Sequence, residues 1–159
     1  MIAFCTRDGV ILCVAVSIAT VLLIAAIGKF LHPLESLDSF DRVVSLFEFA
    51  LLGAILYFRR HWQLWFLTGS VFSAWCGFAL FWYFLELPCS CMGTMVHIPT
   101  LYSIAADVVF FAVSLSLARL TGAKKEWLYL SILLGFFLTL AGFAFGEGVY
   151  RHYLWESTN

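Results

Sequence analysis

Charge is what this chain has least of. Only 12% of its 159 residues are Asp, Glu, Lys or Arg, against about a quarter in soluble domains, whose outsides water must solvate. The nine basic residues are balanced by ten acidic ones and form no patch. Nothing is therefore offered to a phosphate backbone, and nucleic acid is excluded as a partner. A glycine-rich phosphate loop is absent, as is a histidine pair at metallopeptidase spacing. Strand-like alternation is lacking too, which argues against a membrane barrel.

Apolar sequence is what remains. The chain is 63% hydrophobic, with a mean hydropathy of +0.96, and several of its apolar runs approach the roughly 20 residues that cross hydrocarbon. Five such segments are predicted, at 10–28, 42–58, 64–87, 99–120 and 127–146. Each must be a helix, because a lone segment in lipid can satisfy its backbone only internally. The expected fold is all-α: one integral membrane domain over 1–159, a polytopic bundle with a four-helix core and a fifth, C-terminal transmembrane helix. The first segment reads as an uncleaved helix, since its apolar core exceeds the roughly 7–15 residues of a signal sequence and Asp8 sits beside Arg7.

Basic residues near the segment ends set the expected orientation. With a cytoplasmic N-terminus, Arg7, Arg59, Arg60, Arg119, Lys124 and Lys125 face inward, while Lys29, Arg42 and Arg151 face outward. Trp62, Trp65 and Trp127 would anchor the inner interface, and Trp82, Tyr83, Tyr150, Tyr153 and Trp155 the outer one. The segment around Cys89, and the tail after Glu147, then lie on the extracytoplasmic side, where disulfides form and persist.

Cys89-Ser90-Cys91 stands between the third and fourth segments. Cα atoms two positions apart can fall within the roughly 4.4–6.8 Å a disulfide needs, though the small ring is strained. Strained disulfides are more oxidising and exchange electrons instead of stapling a fold. Two other readings stay open. The bridge can be structurally inert, or Cys89, Cys91, Met92, Met95 and His97 can bind Cu(I), which suits thiolate, thioether and imidazole ligands. Cys5, Cys13 and Cys76 read as small buried hydrophobes.

Glu48 and Asp107 are the ionisable residues deepest within predicted segments, and such groups mark functional sites in membranes by default. Both fall in the outer half of their segments, below the cysteine pair, with Lys29 as the nearest counter-charge. They can form a proton-handling pocket, or a Lys29–Glu48 or Lys29–Asp107 pair that only locks helices together. The stretch 29–40 alternates acids with apolar residues and predicts a short interfacial helix with Phe30, Leu34, Leu37 and Phe40 facing down. Gly53, Gly69, Ala74 and Gly77 are expected where helices pack closely. The seventeen phenylalanines include enough to line a pocket for a quinone ring.

Lys29, the amphipathic stretch after it, Glu48 with Gly53, and Pro88-Cys89-Ser90-Cys91-Met92-Gly93 together resemble the MauE/DoxX redox-associated membrane proteins. The resemblance covers about 10–120. It implies a compact four-helix bundle in a bacterial inner membrane with the cysteine pair periplasmic; the charge pattern and the fifth segment put the C-terminus on that side too. Together with the residue reading, it leads to the expectation of a thiol–disulfide redox protein in which Cys89 and Cys91 cycle with a periplasmic thiol protein, Glu48 and Asp107 assist proton transfer, and a quinone accepts electrons. The chain departs from that family in having Met92 and Asp107 at their positions and a fifth segment after Trp127. Two rivals accompany this expectation: a non-catalytic accessory or assembly subunit of a larger membrane complex, and a Cu(I)-handling membrane protein.

Overall fold

A computed structural model describes residues 6–31, 38–86 and 98–158. The described residues form five helices, α1 (Arg7–Leu31), α2 (Asp38–Phe58), α3 (Trp62–Phe84), α4 (Thr100–Leu120) and α5 (Lys125–Thr158), and no strand. The all-α bundle expected from the hydropathy is therefore what the chain adopts. Four helices, α1, α3, α4 and the Lys125–His152 part of α5, are long and apolar enough to cross a membrane. The chain is accordingly a multi-pass membrane protein.

The second expected span, 42–58, is not among those four, because Asp38, Asp41, Arg42 and Glu48 interrupt the apolar character of α2. Its polarity is nonetheless inverted relative to a surface helix in water. Asp41, Ser45 and Glu48 are buried, whereas Val43, Leu46 and Phe47 are exposed. Only an apolar surrounding medium makes that arrangement favourable.

Several expected bounds move. The stretch 29–40 is not a separate interfacial helix at its ends: Lys29–Leu31 complete α1, and Asp38–Phe40 begin α2. The fifth helix does not stop at 146 but continues to Thr158. The third stops at Phe84, short of 87, where Glu86 takes the left-handed conformation (φ 55°) and its N–H reaches the Tyr83 carbonyl. Glycine usually occupies such a position, since a Cβ is disfavoured there. Gly122 ends α4 in the same way, at φ 108°, and the Ala123 N–H closes back on the Ala118 carbonyl.

α3 is the centre of the larger layer, packed along α4 and α5, while α1 and α2 form an antiparallel hairpin laid against it. The α3–α5 contact runs backbone to backbone. A Cβ at Gly77 would collide with the Thr139 carbonyl, and one at Gly142 with the Ala74 carbonyl. Ser73 and Thr139 tie this seam, their hydroxyls 3.1 Å apart, and the Ser73 hydroxyl donates to the Gly135 carbonyl at 2.7 Å. Gly53, expected in such a role, has open space around it.

One end of the bundle, where Arg59-Arg60 join α2 to α3, is filled by an apolar cluster that includes Ile11, Ala15, Ile55, Trp65, Leu117 and Ala118. Trp65 is not the interfacial anchor expected of it. It is 0% exposed, and its indole N–H donates to the Arg59 carbonyl at 2.8 Å. Trp62 and Trp127 pack against each other at a tilt of 41°, with ring centroids 5.2 Å apart. Cys13 also departs from expectation, lying on the exposed face of α1, whereas Cys76 is buried.

Candidate functional site

At the opposite end the hairpin and the three-helix layer separate around a cavity of about 630 Å³, lined by all five helices. That volume lies within the roughly 300–1,000 Å³ of small-molecule sites. Its walls are mainly aromatic and aliphatic: Phe72, Trp75 and Phe78 from α3, Phe110 from α4, Phe40 from α2 and Phe145 from α5. Three rings meet on one side, Phe40, Phe78 and Phe145, with centroid separations of 5.7–6.2 Å.

Into this apolar lining project the charged groups singled out in the sequence. Lys29, 6% exposed near the end of α1, places its Nζ 2.5 Å from Glu48 Oε1, and Glu48 is 1% exposed on α2. The Lys29 ammonium also lies 5.8 Å from the Trp75 ring centroid, a cation–π distance. Glu48 Oε2 has no hydrogen-bond partner among the described residues. Asp107 reaches the cavity from the second turn of α4, 8% exposed. Among the described residues no cation stands within ion-pairing distance of Asp107.

The local cause is helical spacing. Asp41, Ser45 and Glu48 recur at intervals of four and three and so share one face of α2, and Ser45 fastens that face to α1 by donating to the Ala26 carbonyl at 3.1 Å. A buried cation beside one carboxylate makes a compensated pair. Removing either partner from low-dielectric surroundings leaves an uncompensated charge. Asp107 has no such fixed partner and is the wall group able to exchange a proton or a hydrogen bond with a bound molecule.

Lys29, Glu48 and Asp107 are thus gathered round one chamber, from three helices. Asp41, Trp75, Tyr102 and Ser103 also line it and escaped the sequence reading. The stripe Asp41–Ser45–Glu48 was the one signal that could have found Asp41; the aromatics carried none, being unremarkable among so many others. Cys89, Cys91, Met92, Met95 and His97 lie outside the described residues. Ile98, which precedes α4, lines the cavity, and α3 ends at this same end of the bundle. Among the described residues no group of three or more His, Cys, Asp or Glu side chains is placed to hold a metal ion.

No protein-family model, curated protein or solved structure matches this chain.

Proposed function

We propose that the chain is a thiol–disulfide redox protein of a bacterial inner membrane, with Cys89 and Cys91 as its exchanging pair and the cavity as its quinone site. The observation that carries this reading is the chamber itself. It is lined by aromatic rings, holds the Lys29–Glu48 pair and, among the described residues, Asp107 with no cation at ion-pairing distance, and lies at the end of the bundle where α3 ends and α4 begins, the cysteine pair falling between them in the sequence.

Oxidation of a dithiol to a disulfide releases two electrons and two protons, and a quinone, when bound, takes up both as its hydroquinone. The residues present fit such a group. Trp75, Phe78 and Phe110 supply ring faces for offset or edge contacts, and their bulk keeps water from the site. Lys29, neutralised by Glu48, fixes a positive charge at one wall, with ammonium protons left to donate to a carbonyl oxygen. Asp107 holds or releases a proton at the other. With the N-terminus cytoplasmic, this end of the bundle is periplasmic and the partner is a periplasmic thiol protein.

Thiol trapping followed by mass spectrometry tests the proposal. Cys89 and Cys91 are expected to resist alkylation until a reductant is added, and to return to the resistant form when a quinone is supplied to the membranes. Equal alkylation with and without reductant would end this reading. A second reading, an accessory subunit of a larger membrane complex, draws on α5, the least covered of the four apolar helices, with Phe136, Phe137 and Leu140 exposed. It predicts stoichiometric co-purification with a partner and full tolerance of Cys89→Ser.

A further inference from the structure

We infer that the cavity is entered sideways, through the seam between α1 and α4, and that its ligand is an amphiphile whose apolar chain leaves by that seam while its polar head lies beside Asp107. The inference rests on the quinone reading above and adds the route and the chain.

Among the described residues, two sides of the cavity carry residues that both line it and are exposed, and such residues mark a mouth. On the α1–α4 side these are Tyr102, 68% exposed, and Ala106, with Ala25 and Ser103 completing the frame. On the α2–α5 side they are Ala141 and Phe145. The two mouths differ in how they are filled. Across the second, Phe40, Phe78 and Phe145 bring three rings together with centroids 5.7–6.2 Å apart, a spacing that leaves no passage for an alkyl chain. The first is bordered by Ala25, Ser103 and Ala106, with one ring, Tyr102, turned outward at 68% exposure.

Packing along the helices explains why the seam opens only here. Toward the Arg59–Arg60 end, Ile11 and Ala15 of α1 share an apolar cluster with Leu117 and Ala118 of α4. Toward the other end residues of both helices line the cavity, Val21 and Ala25 from α1 and Tyr102, Ser103 and Ala106 from α4. The surface beside the mouth is apolar, with Ile24, Leu101 and Val109 all exposed. The mouth therefore faces the lipid-contacting flank of the bundle, and a molecule dissolved in the bilayer reaches Asp107 without crossing water.

The test compares a benzoquinone carrying a decyl chain with the same ring lacking it. Binding to the full-length protein in phosphatidylcholine nanodiscs is followed by quenching of tryptophan fluorescence. Ala106→Trp fills the seam and is expected to weaken the decyl compound at least about ten-fold while changing the chainless ring less than about three-fold. Ala141→Trp, which adds bulk to the cavity wall on the ring-closed side, is expected to change the two compounds by the same factor, with no selective loss of the decyl one. Tyr102→Ala, which widens the seam, should preserve decyl binding and shows that substitution on this rim is tolerated. Loss of decyl binding on Ala141→Trp but not on Ala106→Trp would overturn the route while leaving the quinone site intact. Equal weakening of both compounds by Ala106→Trp would mean that the chain does not use the seam, and would overturn it as well. If neither compound binds the unaltered protein, the quinone reading of the cavity itself fails.

Discussion

At the Arg59–Arg60 end, Trp65 is wholly buried and Ile11 and Leu117 are each 2% exposed within one apolar cluster. At the Lys29 end the same helices part around about 630 Å³ and bury a lysine and three carboxylates, Asp41, Glu48 and Asp107, in the walls. The contrast lies in side-chain size and charge, since the helices are continuous from one end to the other. Where interior positions are apolar and of complementary size, the layers close to normal packing density. Where ionisable groups point inward they need partners, and the helices separate far enough to leave a chamber. Apolar packing is concentrated at the first end and buried charge at the second.

Five single substitutions and one double variant sharpen or break that contrast. The largest effect is expected at the cavity. Lys29→Met leaves Glu48 buried without a counter-charge and should cost about 3–5 kcal/mol in reversible unfolding in mixed micelles. The double variant Lys29→Met/Glu48→Met should recover most of the loss, because a buried pair is often no better than apolar residues of similar volume. A double variant as unstable as the single one would show that the two groups do not act as a compensated unit.

Next comes the seam shared by both ends. Gly77→Ala drives a Cβ into the Thr139 carbonyl and should cost about 1–3 kcal/mol or more as α3 and α5 are forced apart. Gly53→Ala, with open space around it, should instead stabilise by up to about 1 kcal/mol through helix propensity. Similar losses at both glycines would mean that close approach is not what Gly77 provides. The same unfolding assay reads both.

A smaller gain is expected where α3 terminates. Glu86 holds φ 55°, and Glu86→Gly should raise stability by about 1 kcal/mol or less by relieving that conformation. A loss of stability would show that the carboxylate has a role that outweighs the backbone strain. The smallest effect belongs to the closed end's surface. Arg60 and Asp8 lie 2.9 Å apart with side chains 71% and 64% exposed, and Arg60→Ala should change stability by less than about 1 kcal/mol, and less still at high salt.

Much of the architecture was legible in the chain. Apolar runs of bilayer length require helices because backbone groups in lipid have no other partners, and charged ends such as Arg59-Arg60 and Lys124-Lys125 separate one run from the next. Glu48, Asp107 and Lys29 could be singled out because an ionisable residue in an apolar segment is costly wherever it faces. Helix ends were harder. Asp38–Phe40 read as interfacial because their acids look solvated, yet Asp41 is buried in the cavity wall. Trp65 resembled an interfacial tryptophan because indole favours that zone. Its hydrogen bond to the Arg59 carbonyl satisfies the N–H and permits full burial.

Local sequence therefore determined the helices, their number and the medium they suit, since backbone hydrogen bonding and transfer free energy act segment by segment. It also named the charges that had to find shelter. Only the tertiary structure decided that Lys29 pairs with Glu48 and not with Asp107, that aromatics from several helices close one side of a chamber, and that Gly77 and Gly142, not Gly53, bring backbones together. Those outcomes depend on how helices distant in sequence rotate and cross. Rotation and crossing are set by interlocking side-chain volumes summed over the whole bundle, and no single segment carries that information.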